Sequence, residues 1–216
     1  MSSGTDIKQN ISGLLCLGEY GKLMDLSKDP VMALIQKSFD HPNEEVRQAA
    51  SISLGKLTIG NAAFFLDKVL SLVKNSSAQQ KYLFLNTIRE IIIHNSSCLR
   101  GDIDQVQELL LSQTTHDEES IRSIVAESVG RLFCAYPDKL IVSIDGGLRQ
   151  GNALMKSTLA KSVKYSGQKA GQSGNEHLYK KISTNLIMMA KETDPGVKKN
   201  SLEGLTTIVH NNWQVV

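Results

Sequence analysis

EVRQAASISLGKL (residues 45–57) and SIRSIVAESVGRL (residues 120–132) are one amphipathic helix written twice. Aligned without a gap, Val46 pairs with Ile121, Arg47 with Arg122, Ala50 with Val125, Leu54 with Val129, Gly55 with Gly130, Lys56 with Arg131 and Leu57 with Leu132. A recurrence at this distance must be settled before any fold is assigned, because a period of 20 to 50 residues marks a repeat architecture.

The pattern is an apolar residue, a basic one, then a small or apolar residue three positions later and an apolar one seven positions later. It fits Val46-Arg47, Ile121-Arg122 and Val197-Lys198, whose basic residues lie 75 and 76 positions apart. Weaker copies fall between them: Phe84 and Ile88 follow Lys81, and Leu159 and Val163 follow Lys156, at the same two spacings. Arg47, Lys81, Arg122, Lys156 and Lys198 thus mark one structural position, with steps of 34, 41, 34 and 42 residues. CLGEYGKL (16–23) adds an earlier copy, with Gly18 in register with Gly55.

Second apolar-periodic segments alternate with these at Pro30 to Phe39, Phe64 to Lys74, Ile103 to Gln113, Asp138 to Leu148 and Glu176 to Lys191. Their apolar residues recur at helical spacing, as in Phe65, Leu66, Val69, Leu70 and Val73. Asn43 and Asp194 stand where helix N-caps should be, and Gly60-Asn61 and His94-Asn95 where helices should end in residues tolerant of left-handed backbone. A helix pair of this length cannot bury its apolar face alone, so neighbours must stack. The expected fold is therefore all-α: a HEAT-repeat α-solenoid, a right-handed superhelix of antiparallel helix pairs. Residues 1–216 would form a single array of about five to six repeats.

Lys and Arg together number 24 against 22 for Asp and Glu, so no basic field draws nucleic acid or an anionic membrane. No apolar run reaches the ~20 residues a membrane helix requires, and the first ten residues contain no secretory apolar core. Cys16, Cys98 and Cys134 form no CxxC pair and have no metal-ligand spacing to histidine; they read as reduced, mostly buried thiols of an intracellular protein. DGGLRQGN (145–152) and GQKAGQSGN (167–175) lack the Lys-Ser/Thr ending of a phosphate loop and read as inter-helix loops, the second the more mobile. The five histidines lie in different repeats. No catalytic residue, cofactor site or metal site is expected; the chain reads as a binding protein.

That leaves surface. Arg89 and Glu90, Glu127 and Arg131, and Lys161 and Lys164 occupy polar positions of three successive patterned helices and are the expected partner-binding residues. Arg47 and Arg122 should hydrogen-bond a turn or a carboxylate of the neighbouring repeat.

LLCLGEYGKLMDLS (14–27), EEVRQAASISLGKLTIGN (44–61), KYLFLNTIREII (81–92), EESIRSIVAESVGRL (118–132), VKYS (163–166) and VHNN (209–212) together resemble, in order, segments of the cullin-associated, neddylation-dissociated proteins. The resemblance includes loop residues such as Asp25, Leu26, Ser27, Gly60 and Asn61, which a generic HEAT protein would not share. It implies a piece from the C-terminal third of a longer, non-enzymatic regulator of cullin–RING ubiquitin ligases. The partner implied is the N-terminal region of a cullin within a cullin–Rbx complex, bound in competition with an adaptor carrying the substrate receptor. A monomer in cytoplasm and nucleus, with no cofactor, no nucleic acid and no membrane contact, is the corresponding expectation. The connection at 167–175 departs from the shorter, Pro-containing one associated with the family. The alternative is another HEAT scaffold, such as a nuclear-transport receptor or phosphatase scaffold.

Overall fold

In a computed structural model, the structure describes residues 4–27, 30–167 and 174–216. Eleven α-helices follow one another among the described residues: α1 (Gly4–Leu23), α2 (Val31–Phe39), α3 (Glu44–Gly60), α4 (Ala62–Asn75), α5 (Ala78–Asn95), α6 (Ile103–Ser112), α7 (Glu119–Ala135), α8 (Pro137–Gln150), α9 (Ala153–Ser166), α10 (Glu176–Met189) and α11 (Pro195–Asn212). Short 3-10 turns cover Ser96–Leu99 and Trp213–Val215. The fold is all-α, and its helices stack as solenoid repeats within two compact units, Met1–Ile103 and Asp104–Val216.

In the first unit the patterned helices α1, α3 and α5 lie side by side as an inner layer, with α2 against α3 and α4 against α3 and α5 as the outer layer. In the second, α7, α9 and α11 form the inner layer, with α8 on α7 and α9 and α10 on α8 and α11. The periodic apolar residues make each core: Ile35, Leu54, Phe65, Val69 and Ile88 in the first, Ile121, Val125, Phe133, Leu159, Leu186 and Val197 in the second. Each such side chain removed from water stabilises by about 1.5–3 kcal/mol. Aromatic pairs fix the packing, Phe39 on Phe84 with centroids 4.7 Å apart and Phe133 edge-on to Tyr179 at 5.7 Å. The buried Tyr179 hydroxyl donates to the carbonyl oxygen of Ser166 at 2.5 Å, and burial pushes its pKa up.

Helix starts follow local chemistry. The side chains of Asn43, Asn61, Asn152 and Asp194 each accept a hydrogen bond from the amide three residues on, at 3.2, 3.1, 2.9 and 2.9 Å. The expected left-handed helix ends are absent: Asn61 (φ −148°) and Asn95 (φ −163°) are not left-handed. Asn61 must cap α4 as it leaves α3, which a left-handed backbone would prevent. DGGLRQGN is not a loop either, since Gly146 and Gly147 lie within α8. A Cβ on Gly147 would stand 2.3 Å from Leu159 Cδ1, so glycine there admits α9. The mobile segment expected at 167–175 falls largely outside the described residues.

The close contact between patterned helices depends on their shared glycine. A Cβ on Gly55 would meet Glu90 Cβ at 2.8 Å, and one on Gly130 would meet the Ser162 carbonyl oxygen at 2.2 Å. The recurrence at positions 55 and 130 thus records the nearness of the next inner helix.

The cysteines are less buried than their apolar context implies: Cys16 is exposed, and Cys98 and Cys134 are half-buried. Cys16 lies two residues beyond buried Leu14, roughly 200° around the helix, and so faces away from α3. Burial raises the Cys98 thiol to about 11.

Candidate interaction surface

The patterned helices α3, α7 and α9 each turn one stripe toward solvent, and its positions follow from the core face. Burial of Val46, Ala50, Leu54 and Leu57 on α3 leaves Glu45, Gln48, Ile52, Lys56 and Ile59 outward. The matching stripe on α7 is Ser120, Ser123, Glu127, Arg131 and Cys134; on α9 it is Leu154, Ser157, Lys161 and Lys164.

In the first unit, Ile11 and Leu15 of α1 with Glu44, Glu45, Gln48 and Ile52 of α3 border a groove of about 320 Å³, apolar at its base and acidic along one edge. Lys56 forms an ion pair with Glu19, tying α3 to α1. The hydrogen bond and the charge of Lys56 hold the Glu19 carboxyl below its ordinary value. On α5, Glu90 is buried and accepts from Arg89 at 3.0 Å while His94 Nε2 lies 3.3 Å from its other oxygen. Glu90 therefore serves an internal cluster, whereas the Arg89 side chain retains 26% exposure.

In the second unit, Lys161 and Lys164 border a groove of about 420 Å³ with Glu119, Leu154, Lys199 and Glu203. Lys161 Nζ donates to Ser123 Oγ at 2.8 Å, linking α9 to α7. Lys164 stands 3.7 Å from Glu203, and Arg131 donates to Glu127 at 2.8 Å. The Lys199 ammonium has no hydrogen bond or ion pair among the described residues. The result is a strip of alternating charge, with Lys161, Lys164 and Lys199 against Glu119 and Glu203. It offers polar contacts for a protein surface and no converging nucleophile, base or ligand set. Among the described residues no group of three His, Cys, Asp or Glu could hold a metal ion, and no helix is long and apolar enough to cross a membrane.

The expected contact residues lie five to nine positions beyond the basic residue on α5, α7 and α9, whereas Lys199 and Glu203 lie one and five beyond Lys198 on α11, a helix for which the sequence offered no expected contact. The basic residues themselves divide. Arg47 donates through one guanidinium nitrogen to the carbonyls of His41 (2.7 Å) and Pro42 (3.0 Å), and Arg122 repeats this with His116 (2.5 Å) and Asp117 (2.7 Å). In both loops the histidine Nδ1 accepts from the amide two residues on, at 3.1 Å. Each arginine therefore closes the loop before its own helix, while Lys156 instead reaches Glu192 at 2.8 Å. Lys81 and Lys198 have no such partner among the described residues.

Comparison with known proteins agrees with the segment-by-segment resemblance. The chain is 29% identical over 213 residues to cullin-associated NEDD8-dissociated protein 1 of Arabidopsis thaliana, covering 96% of this chain, and 28% identical over 210 residues to that of Drosophila melanogaster, covering 94%. The chain is similar over nearly its whole length to the cullin-associated NEDD8-dissociated proteins. It spans 17% of the length of these two relatives. A third relative, 24% identical over 212 residues, is the protein of Emericella nidulans described as cullin-associated NEDD8-dissociated protein 1, C-terminal part. No family model matches. Among solved structures, a designed armadillo repeat protein in complex with the peptide (KR)4 superposes with a TM-score of 0.52 at 14% identity, covering 96% of this chain and 95% of that one. That likeness bears on the fold alone.

Proposed function

We propose that the chain is a non-enzymatic cullin-binding element whose inner-helix stripes take the N-terminal region of a cullin in a cullin–Rbx complex, and that this occupancy excludes the adaptor carrying a substrate receptor. The observation that carries the reading is alignment with cullin-associated proteins over 94% or more of the chain, together with exposed stripes fixed by inter-helix bonds and free of catalytic groupings. Such a surface gains affinity by spreading modest contacts over many side chains. Exclusion of the adaptor is mutual: each ligand weakens the other by the same factor at equilibrium.

Calorimetric titration of the chain into a purified cullin N-terminal domain, free and adaptor-bound, tests this. Saturable binding to the free domain that weakens with adaptor present is the expected result. Equal affinity for both forms would refute the exclusion, and absence of binding by a helical chain would refute the cullin reading.

A further inference from the structure

The outer layers of the two units differ at their seams. In the second unit α6 and α8 are closed by Gln107 donating to Ser143 Oγ at 2.5 Å, and the space between them has no room for a water molecule. The seam between α8 and α10 is closed by Asn185 donating to Asp145 at 2.8 Å, with Lys181 3.1 Å from the same carboxylate. In the first unit no hydrogen bond or ion pair joins α2 to α4 among the described residues. A groove of about 700 Å³ lies between them instead.

We propose that this open seam is a docking groove for a short amphipathic helix of a partner protein that presents apolar side chains beside a Lys or Arg. Met32 and Leu72 supply half-buried apolar surface, and the buried Phe39–Phe84 pair forms part of the base. Two carboxylates stand at the groove, Asp40 and Asp67. Asp40 accepts only from Gln80, at 3.1 Å, and Asp67 has no partner among the described residues. The single lining cation, Lys68, holds its ammonium 3.4 Å from the centroid of the Phe64 ring, so that its charge is directed onto that face. Apolar surface with two carboxylates that have no ion-pair partner among the described residues complements a basic amphipathic helix and repels an acidic one. The site lies in the outer layer and does not depend on the cullin reading.

The test uses the full chain and two fluorescein-labelled amphipathic peptides, one of leucine and lysine and one of leucine and glutamate, followed by anisotropy. The leucine–lysine peptide should bind saturably, with its dissociation constant raised about tenfold or more by Asp67→Lys and by Ser71→Trp, which fills the groove from an exposed position. Glu45→Lys, at the inner-layer groove, should leave binding unchanged. Equal binding of both peptides, insensitivity to the two groove variants, or equal loss with Glu45→Lys would overturn the proposal. So would sedimentation showing a dimer that Ser71→Trp dissociates, which would give the groove to a second copy of the chain.

Discussion

At the scale of single residues, two glycines in comparable helical settings should behave oppositely. Gly130→Ala places a methyl group against the Ser162 carbonyl, and the helices must separate to admit it, at a cost of about 1–3 kcal/mol. Gly146→Ala, inside α8 with nothing within 4 Å of the new methyl, should instead stabilise by about 0.5–1 kcal/mol through the chain entropy that glycine wastes in a helix. Thermal melts by circular dichroism read both signs directly. Asp145 gives a pH signature. Burial alone would raise its carboxyl, but the hydrogen bonds from Asn185 and Lys181 and the nearby charges of Lys181 and Arg149 outweigh burial and leave it lowered. A lowered acid stabilises the fold above its unfolded value, and the contribution disappears as pH falls through the folded value. Asp145→Asn should therefore lower the urea midpoint near neutral pH, by about 1.5–3 kcal/mol in free energy. The gap to the parent should narrow on acidification; a gap independent of pH would contradict the assignment.

At the scale of elements, the inner helices were legible because one face carries all the constraints. Val46, Leu54 and Leu57 fix which side of α3 is buried, and the stripe bearing Lys56 follows by elimination. The outer helices were equally legible, with ends displaced by only a few residues. Their seams were not. Nothing local distinguishes α2–α4, which stands open, from α6–α8, which Gln107 and Ser143 close, because each seam depends on side chains more than thirty residues apart. Glu90 failed as a surface reading for the same reason: its position beside Gly55 of the neighbouring helix, and the attention of Arg89 and His94, come from packing. Arg122 belongs to this scale too. Its bonds to His116 and Asp117 shape the loop leading into α7, so Arg122→Ala should cost about 1–3 kcal/mol and speed amide exchange at residues 113–118. Arg122→Lys should rescue little, since an ammonium cannot reproduce the planar guanidinium that spans two carbonyls. Full rescue by lysine would mean that charge alone matters.

At the scale of the molecule, the proposed cullin contact lies on the outward stripes of the inner helices and not on the outer layer. Near-neutral net charge makes that contact one of local charge pattern, so reversing a few stripe positions should matter more than changing total charge. The most direct measurement is the affinity for a cullin N-terminal domain of two charge-matched double variants: Lys164→Glu with Lys199→Glu on the inner stripe, and Lys139→Glu with Lys74→Glu on the outer helices. The inner pair should weaken binding about tenfold or more, with helicity intact, while the outer pair leaves it within about twofold of the parent. Equal effects from the two pairs, or a loss confined to the outer pair, would contradict the account.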